Sequence, residues 1–362
     1  MSIDPVDIAP ARNDALAAGG LYEVWIGVRD LEAATAWWQA FGYNAEAEAE
    51  LSPALAASLY GHRAGARVRR LAAQADHGLV RLMAWDDFSS QGLGTTGLNA
   101  AGSRWVGQFA RSALLVANHA AAARALDPAI EVGELHFIDM GRAYAHLFDN
   151  RVPRPFHDPM IALREFSLFT PESRQVILER FGYDSPLLGT FADDSLLKTT
   201  QIAQGCMVVQ SDDPGVFDFY EQVLGLWKSL DITIPYEQAQ ASRSIFALQA
   251  GETHYNVDLD EPRSAPGLAA RRSGRLKCFR FETSHDMLRV HHLASPGARG
   301  LSNYSWRVHD IEEAHRRADT AGASALTAIQ PDEFGTPAFS CVAPDGYFTT
   351  FIAGSGACSR ST

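Results

Sequence analysis

Four times along the chain a short apolar run gives way to a polar cap and then to apolar residues at helical spacing. In the first copy, Glu23-Val-Trp-Ile-Gly-Val-Arg-Asp30 predicts a strand ending on a helix-capping Asp30. Leu31, Ala34, Trp37, Trp38 and Phe41 then mark one helix face until Gly42 stops it. The third copy runs from Cys206 to Val209 as strand, takes Asp212 and Pro214 as helix start, and returns Val216, Phe219, Tyr220 and Val223 before Gly225. The fourth is Asn303-Tyr-Ser-Trp-Arg-Val-His-Asp310 followed by Ile311, Ala314, Ala318 and Gly322. A fainter second copy places a strand at Arg111-Ser-Ala-Leu-Leu-Val-Ala-Asn118 and an Ala-rich helix to Leu126. Spaced by roughly 80 to 100 residues, these copies predict an internal repeat.

Between the copies, strands are predicted at residues 66–73 and 78–85, then at 133–139, 142–149 and 161–169 with a helix over 171–181. Later strands are predicted near Ile232 and at 244–249 and 255–259, before an Arg-rich polar loop at 262–275. The Gly-rich stretch 89–103 lacks the Lys-Ser or Lys-Thr ending of a phosphate loop and is expected to be a linker or a loop over a site. The organisation that follows is an arm (1–19), a first half holding modules 1 and 2 (20–181), a linker (182–199), a second half holding modules 3 and 4 (200–353) and a mobile tail (354–362).

The phrases Phe219-Tyr-Glu-Gln-Val-Leu-Gly-Leu226 and Ala343-Pro-Asp-Gly-Tyr-Phe-Thr-Thr-Phe351, set in this repeat, resemble the vicinal oxygen chelate superfamily. Its members include glyoxalases, bleomycin-resistance proteins, methylmalonyl epimerases and extradiol dioxygenases. The resemblance implies an α+β fold of four βαβββ modules, paired into two half-open mixed β-barrels. Each barrel would leave a concave cup suited to a small molecule.

Composition narrows the picture. A length of 362 residues allows two cores, and 46% hydrophobic with 20% charged residues is ordinary for a globular protein. A formal charge of -12 argues against nucleic acid as a partner, because no surplus of Lys and Arg is available for phosphates. No apolar run reaches bilayer length and the N-terminus has no apolar signal core, so a cytoplasmic protein with no membrane partner is expected. Four cysteines, Cys206, Cys278, Cys341 and Cys358, without CxxC spacing, read as free thiols.

In the superfamily, metal ligands sit on the first strand, seven residues before the cap, and on the fourth strand. Carried over, the first-strand slots are Glu23, Arg111, Gly205 and Asn303, and the last-strand slot is Thr350. Gly205, Asn303 and Thr350 are poor metal ligands, so no metal and no cofactor are expected, with a divalent metal on non-standard ligands left open. Arg81 and Arg111 would hold a carboxylate or enolate oxygen, or simply pair with an acid such as Glu23. Glu165 is a further acid on a fourth strand.

His254 is the histidine best placed for proton transfer. Trp25, Trp306 and Tyr347 are expected to give the cup an aromatic lining, with Trp25 and Trp306 on the inward parity of Glu23 and Asn303. The alternative for each aromatic is plain helix-to-sheet core.

The catalytic candidates are therefore Glu23, His254 and Asn303, with Trp25, Arg111, Trp306, Tyr347 and Thr350 binding substrate. The favoured function is metal-independent acid/base chemistry of lyase, isomerase or hydrolase type on a small aromatic or carbonyl compound. One alternative is a metal-free sequestering protein, and another is a ring-cleaving dioxygenase with atypical ligands. A homodimer stays open.

Overall fold

Caps set the four repeats in register. In the computed structural model, which describes residues 17–139, 162–182, 189–238, 243, 245–260 and 274–354, Asp30 accepts from the Glu32 and Ala33 N–H groups and starts α1 (Leu31–Ala40). The cap satisfies donors that have no partner inside the helix. Module 1 is β1 (Ala17–Gly27), α1, β2 (Asn44–Leu51), α2 (Pro53–Tyr60), β3 (Ala66–Ala72) and β4 (Leu79–Trp85). Module 2 is β5 (Arg104–Phe109), α3 (Ala113–Leu126), β6 (Glu131–Val132), β7 (His136–Asp139), β8 (Ala162–Phe169) and β9 (Arg174–Phe181).

Module 3 is β10 (Gln204–Gln210), a 3-10 turn (Pro214–Phe217) running into α4 (Asp218–Leu224), β11 (Trp227–Pro235), β12 (Thr253–Asp260) and β13 (Arg275–Glu282). Module 4 is β14 (Gly300–Val308), α5 (Ile311–Thr320), β15 (Gln330–Pro331), β16 (Pro337–Val342) and β17 (Phe348–Ala353). The α+β fold of four modules in two curled mixed sheets is as the resemblance implies. Among the described residues, no helix is long and apolar enough to cross a membrane.

The pairing of modules is not the one expected from chain order. One sheet runs β15-β16-β17-β14-β1-β4-β3-β2 and so joins module 4 to module 1. The other runs β11-β12-β13-β10-β5-β9-β8-β6, with β7 on β8, and joins module 3 to module 2. Thus 20–181 and 200–353 are repeats, but neither closes a sheet alone.

Tyrosines stitch the two sheets together. The Tyr304 hydroxyl accepts from the Cys206 N–H (3.1 Å) and lies 2.7 Å from the Trp105 carbonyl. The Tyr347 hydroxyl does the same with the Val208 N–H (3.1 Å) and the Val208 carbonyl (2.8 Å). In return Arg104, packed over both rings, donates to the Ser302 and Phe348 carbonyls. The helix-facing residues of both sheets, among them Val24, Val106 and Met207, form one shared core with helix residues such as Trp38 and Phe219.

Several local expectations are corrected. The second module's strand lies at Arg104–Phe109 rather than from Arg111, because Ser112, not Asn118, caps α3 by accepting from the Leu115 N–H. Residues 174–181 form β9, not a helix: the Thr170–Ser173 turn feeds a strand whose two edges pair with β8 and β5. Among residues 244–249, the described ones are not strand, and β13 lies just beyond the loop expected at 262–275. Residues 17–19 already belong to β1. The strand expected at 142–149, the arm before residue 17 and the tail from 355 lie outside the described residues.

Candidate functional site

Strand registers define four inward slots per sheet. With the cap as origin, the first-strand slot is seven residues upstream, and its neighbour two residues on pairs with the fourth-strand slot. In the first sheet this gives Glu23, whose neighbour Trp25 pairs with Arg81, and Asn303, whose neighbour Ser305 pairs with Thr350. In the second, the caps are Asp213 and Ser112. The slots are therefore Cys206 and Trp105, with Phe279 opposite Val208 and Val176 opposite Gly107. Gly205 is off by one: a Cβ there would stand 3.2 Å from Leu21 and from the Tyr304 ring, facing the other sheet.

The first cup brings together Glu23, Trp25, Asn303 and Thr350, all fully buried. Arg81 Nη2 lies 2.8 Å from Glu23 and 3.2 Å from Asp332, while its Nη1 lies 2.8 Å from Glu333. Arg70 reaches Glu23 at 2.5 Å, and Ser305 Oγ donates to its second oxygen at 3.2 Å. Burial alone would raise the Glu23 carboxyl, but Arg81 and Arg70 outweigh it and hold it below its ordinary value. Glu23 is thus a paired carboxylate, a poor base at neutral pH, and the ion-pair reading replaces the catalytic one.

Asn303 donates to Thr350 Oγ1 (2.8 Å), which also meets Ser340 Oγ (2.9 Å), and Asn303 Oδ1 has no partner among the described residues. Apolar residues of α2 and of the inner strand faces pack around these groups.

The other candidates lie elsewhere. Trp306 is three residues from Asn303, so alternation turns it to the helix side, where it packs in the shared core. Tyr347 is committed to the sheet-to-sheet contact. Arg111 is a half-exposed surface residue paired with Asp193 at 2.9 Å.

His254 belongs to the second cup. Trp105 stacks on Phe279 (centroids 5.3 Å apart), Phe246 and Phe281 adjoin them, and the His254 ring lies along Phe281 at 5.8 Å. Burial, with some help from Lys277, lowers His254 to about 4, so the ring is neutral at pH 7, and its Nδ1 has no partner. At the polar end Lys277 donates to Asp258 (3.0 Å), and Arg275 bonds Asp258 and Asp260. Burial raises the Glu165 carboxyl, and the opposing pull of Lys277 and His136 does not cancel it.

Glu165 on β8 and Lys277 on β13 have three strands between them. In a flat sheet they would be roughly 19 Å apart. Lys277 still exerts a lowering pull on the Glu165 carboxyl, smaller than the effect of burial. Burial also raises the Cys206 thiol below them, keeping it protonated and unreactive. Lys277 and Phe279 escaped sequence reading because β13 follows an Arg-rich loop. The alternation of Arg275, Lys277 and Phe279 with Leu276 and Cys278 was the available signal.

A divalent metal does not fit either set of slots. In the first cup a guanidinium occupies the carboxylates, and in the second the slots are a protonated thiol and three apolar side chains. Among the described residues, no three His, Cys, Asp or Glu side chains form a ligand group.

No protein-family model and no curated protein matches the chain. Solved structures do. A glyoxalase I mutant from Zea mays superposes with a TM-score of 0.50 at 12% identity, covering 92% of this chain and 93% of that one. A putative dioxygenase from Bacillus subtilis subsp. subtilis str. 168 gives a TM-score of 0.50 at 11% identity, covering 92% of this chain and 84% of that one. At such identities the likeness is one of fold, and it spans nearly the whole chain: this protein shares the four-module fold of these two structures, the fold that the sequence resemblance implied.

Proposed function

We propose that the chain is an enzyme that moves a proton next to the carbonyl of a small flat compound held in the second cup, without a metal. The observation that carries this is the Trp105 and Phe279 stack with the Lys277 ammonium 5.6 Å from the Phe279 ring, together with Glu165, a carboxyl raised by burial, on a strand of the same sheet. Glu165 takes a proton from the carbon beside the carbonyl, and the bonding pair moves onto the carbonyl oxygen. The Lys277 ammonium meets the negative charge there. The neutral His254 ring offers Nδ1 as a hydrogen-bond partner to the ligand. Return of the proton to the other face, or loss of a leaving group, completes an isomerase or lyase cycle.

The test is hydrogen-deuterium exchange in a panel of aryl carbonyl compounds, followed by NMR. The wild type should exchange at least one of them, and Glu165→Gln should slow this by about 100-fold or more while ligand-induced Trp fluorescence change persists. Equal exchange in both proteins would overturn the assignment.

The stack by itself favours a second reading, a sequestering protein. That reading expects equal binding by wild type and Glu165→Gln with no exchange in either. A ring-cleaving dioxygenase needs two imidazoles and a carboxylate on one face, and neither set of slots supplies them.

A further inference from the structure

The disagreement between the first cup and a metal site has a definite form. Three buried carboxylates, Glu23 of β1 and the adjacent Asp332 and Glu333 ahead of β16, meet at one point. What stands at that point is the guanidinium of Arg81. We propose that Arg81 is the permanent cation of the first cup: its guanidinium sits where the superfamily slots converge, saturates the acids there, and closes that cup to metal and to ligand.

Three observations support this beyond the cluster itself. Arg81 is on the fourth-strand slot and pairs in register with Trp25, so its place is set by the sheet and not by a loop. Its plane lies 4.5 Å from the Trp25 ring centroid, which fixes its orientation. Its two terminal nitrogens both engage the Asp332 to Glu333 turn that leads into β16, Nη2 through Asp332 and Nη1 through Glu333. That turn is tied from the other side as well: Tyr60 of α2 donates to Glu333 at 2.6 Å, and Arg70 stacks on Phe334. The cation therefore holds the cover of the cup in place. Asn303 Oδ1, fully buried and without a partner, remains as an acceptor left over at the slot across the cup.

The reasoning is electrostatic. Three carboxylates buried together need positive charge nearby, and removing one partner from a buried ion pair leaves the others uncompensated. A tethered guanidinium supplies that charge at no cost in free ligand, whereas a metal would have to displace it.

The test reads stability and metal content, and does not depend on how the second cup works. Wild type passed through a desalting column should carry no stoichiometric divalent metal, and its melting temperature should not move with Mn²⁺, Zn²⁺ or EDTA. Arg81→Ala should melt roughly 5–10 °C lower. Guanidinium at sub-denaturing concentration, or Mn²⁺, should restore part of that loss while Na⁺ does not. Stoichiometric metal in the wild type, or an Arg81→Ala loss that neither cation restores, overturns the proposal. If Arg81→Ala does not fold, the double variant Glu23→Gln with Arg81→Met removes one charge of each sign. It should fold, and a double variant that also fails to fold would show that the loss is not one of charge compensation and would overturn the proposal.

Discussion

Asp345 shows how a buried group sets a pH dependence. It accepts from the Tyr347 N–H (3.0 Å) and the Tyr220 hydroxyl (2.9 Å), yet burial pushes it up to about 6 against those bonds. A raised carboxyl binds its proton more tightly in the folded state. Its favourable contribution is present below the ordinary value of 3.8 and is lost as pH rises through about 6. Asp345→Asn should therefore flatten the stability profile between these limits and relieve about 2–3 kcal/mol at neutral pH. Urea denaturation at stepped pH measures this, and an unchanged slope would show that Asp345 is not the source. His254 works in the opposite sense: its contribution is present above 6.5 and is lost as pH falls through about 4. Neither shift was readable in sequence, since both come from neighbours distant in the chain.

At the scale of elements, the strand-cap-helix signal was legible to the residue at Asp30 and Asp310, and one residue out in module 3, where Asp213 rather than Asp212 is the cap. It failed in module 2. Ala113-Leu-Leu-Val is as apolar as a strand, and only the Ser112 side chain on the Leu115 N–H marks it as a helix start. Ser112→Ala should cost about 1 kcal/mol in chemical denaturation. Asn118→Ala, exposed within the helix, should change stability by less than about 0.5 kcal/mol. Equal losses would restore Asn118 as the cap. The same slip placed the slot at Arg111, and a one-residue slip placed another at Gly205 where Cys206 faces inward. In a strand with period two, an error of one residue changes the face entirely. That is also why Trp306 and Asn303 point to opposite sides of β14.

For the whole molecule, the decisive feature is the exchange of modules between sheets. β1 pairs with β14 and β10 pairs with β5, so the two halves of the chain close each other. The Tyr304 and Tyr347 hydroxyls, each on an N–H and a carbonyl of β10, fix this arrangement from sheet to sheet. Tyr347→Phe removes one such hydroxyl and leaves the Val208 amide with one partner fewer in a dry interface. It should cost about 1–3 kcal/mol in equilibrium unfolding, and a loss below about 0.5 kcal/mol would show the contact to be incidental. The exchange also decides what each sheet holds: Glu23 and Arg81 of module 1 share one with Asn303 and Thr350 of module 4, while Glu165 of module 2 shares the other with Lys277 of module 3.

The sequence by itself determined the repeat, the module and the fold, because periodicity and caps are local and state directly which face of each element is buried. It assigned Glu23 and Trp25 to a first-half cup and Asn303 and Thr350 to a second-half cup, and only the pairing of β1 with β14 brings the four into one. Which modules share a sheet was decided only in three dimensions. Backbone hydrogen bonds join one edge strand to another without regard to side-chain identity, so four similar modules leave several pairings open. The contacts that choose among them, Arg104 on Ser302 and Tyr347 on Val208, join residues more than a hundred positions apart. The state of Glu23 was decided there too. Whether a buried acid is held as an ion depends on the charge beside it, and for Glu23 that charge comes from Arg70 of β3 and Arg81 of β4.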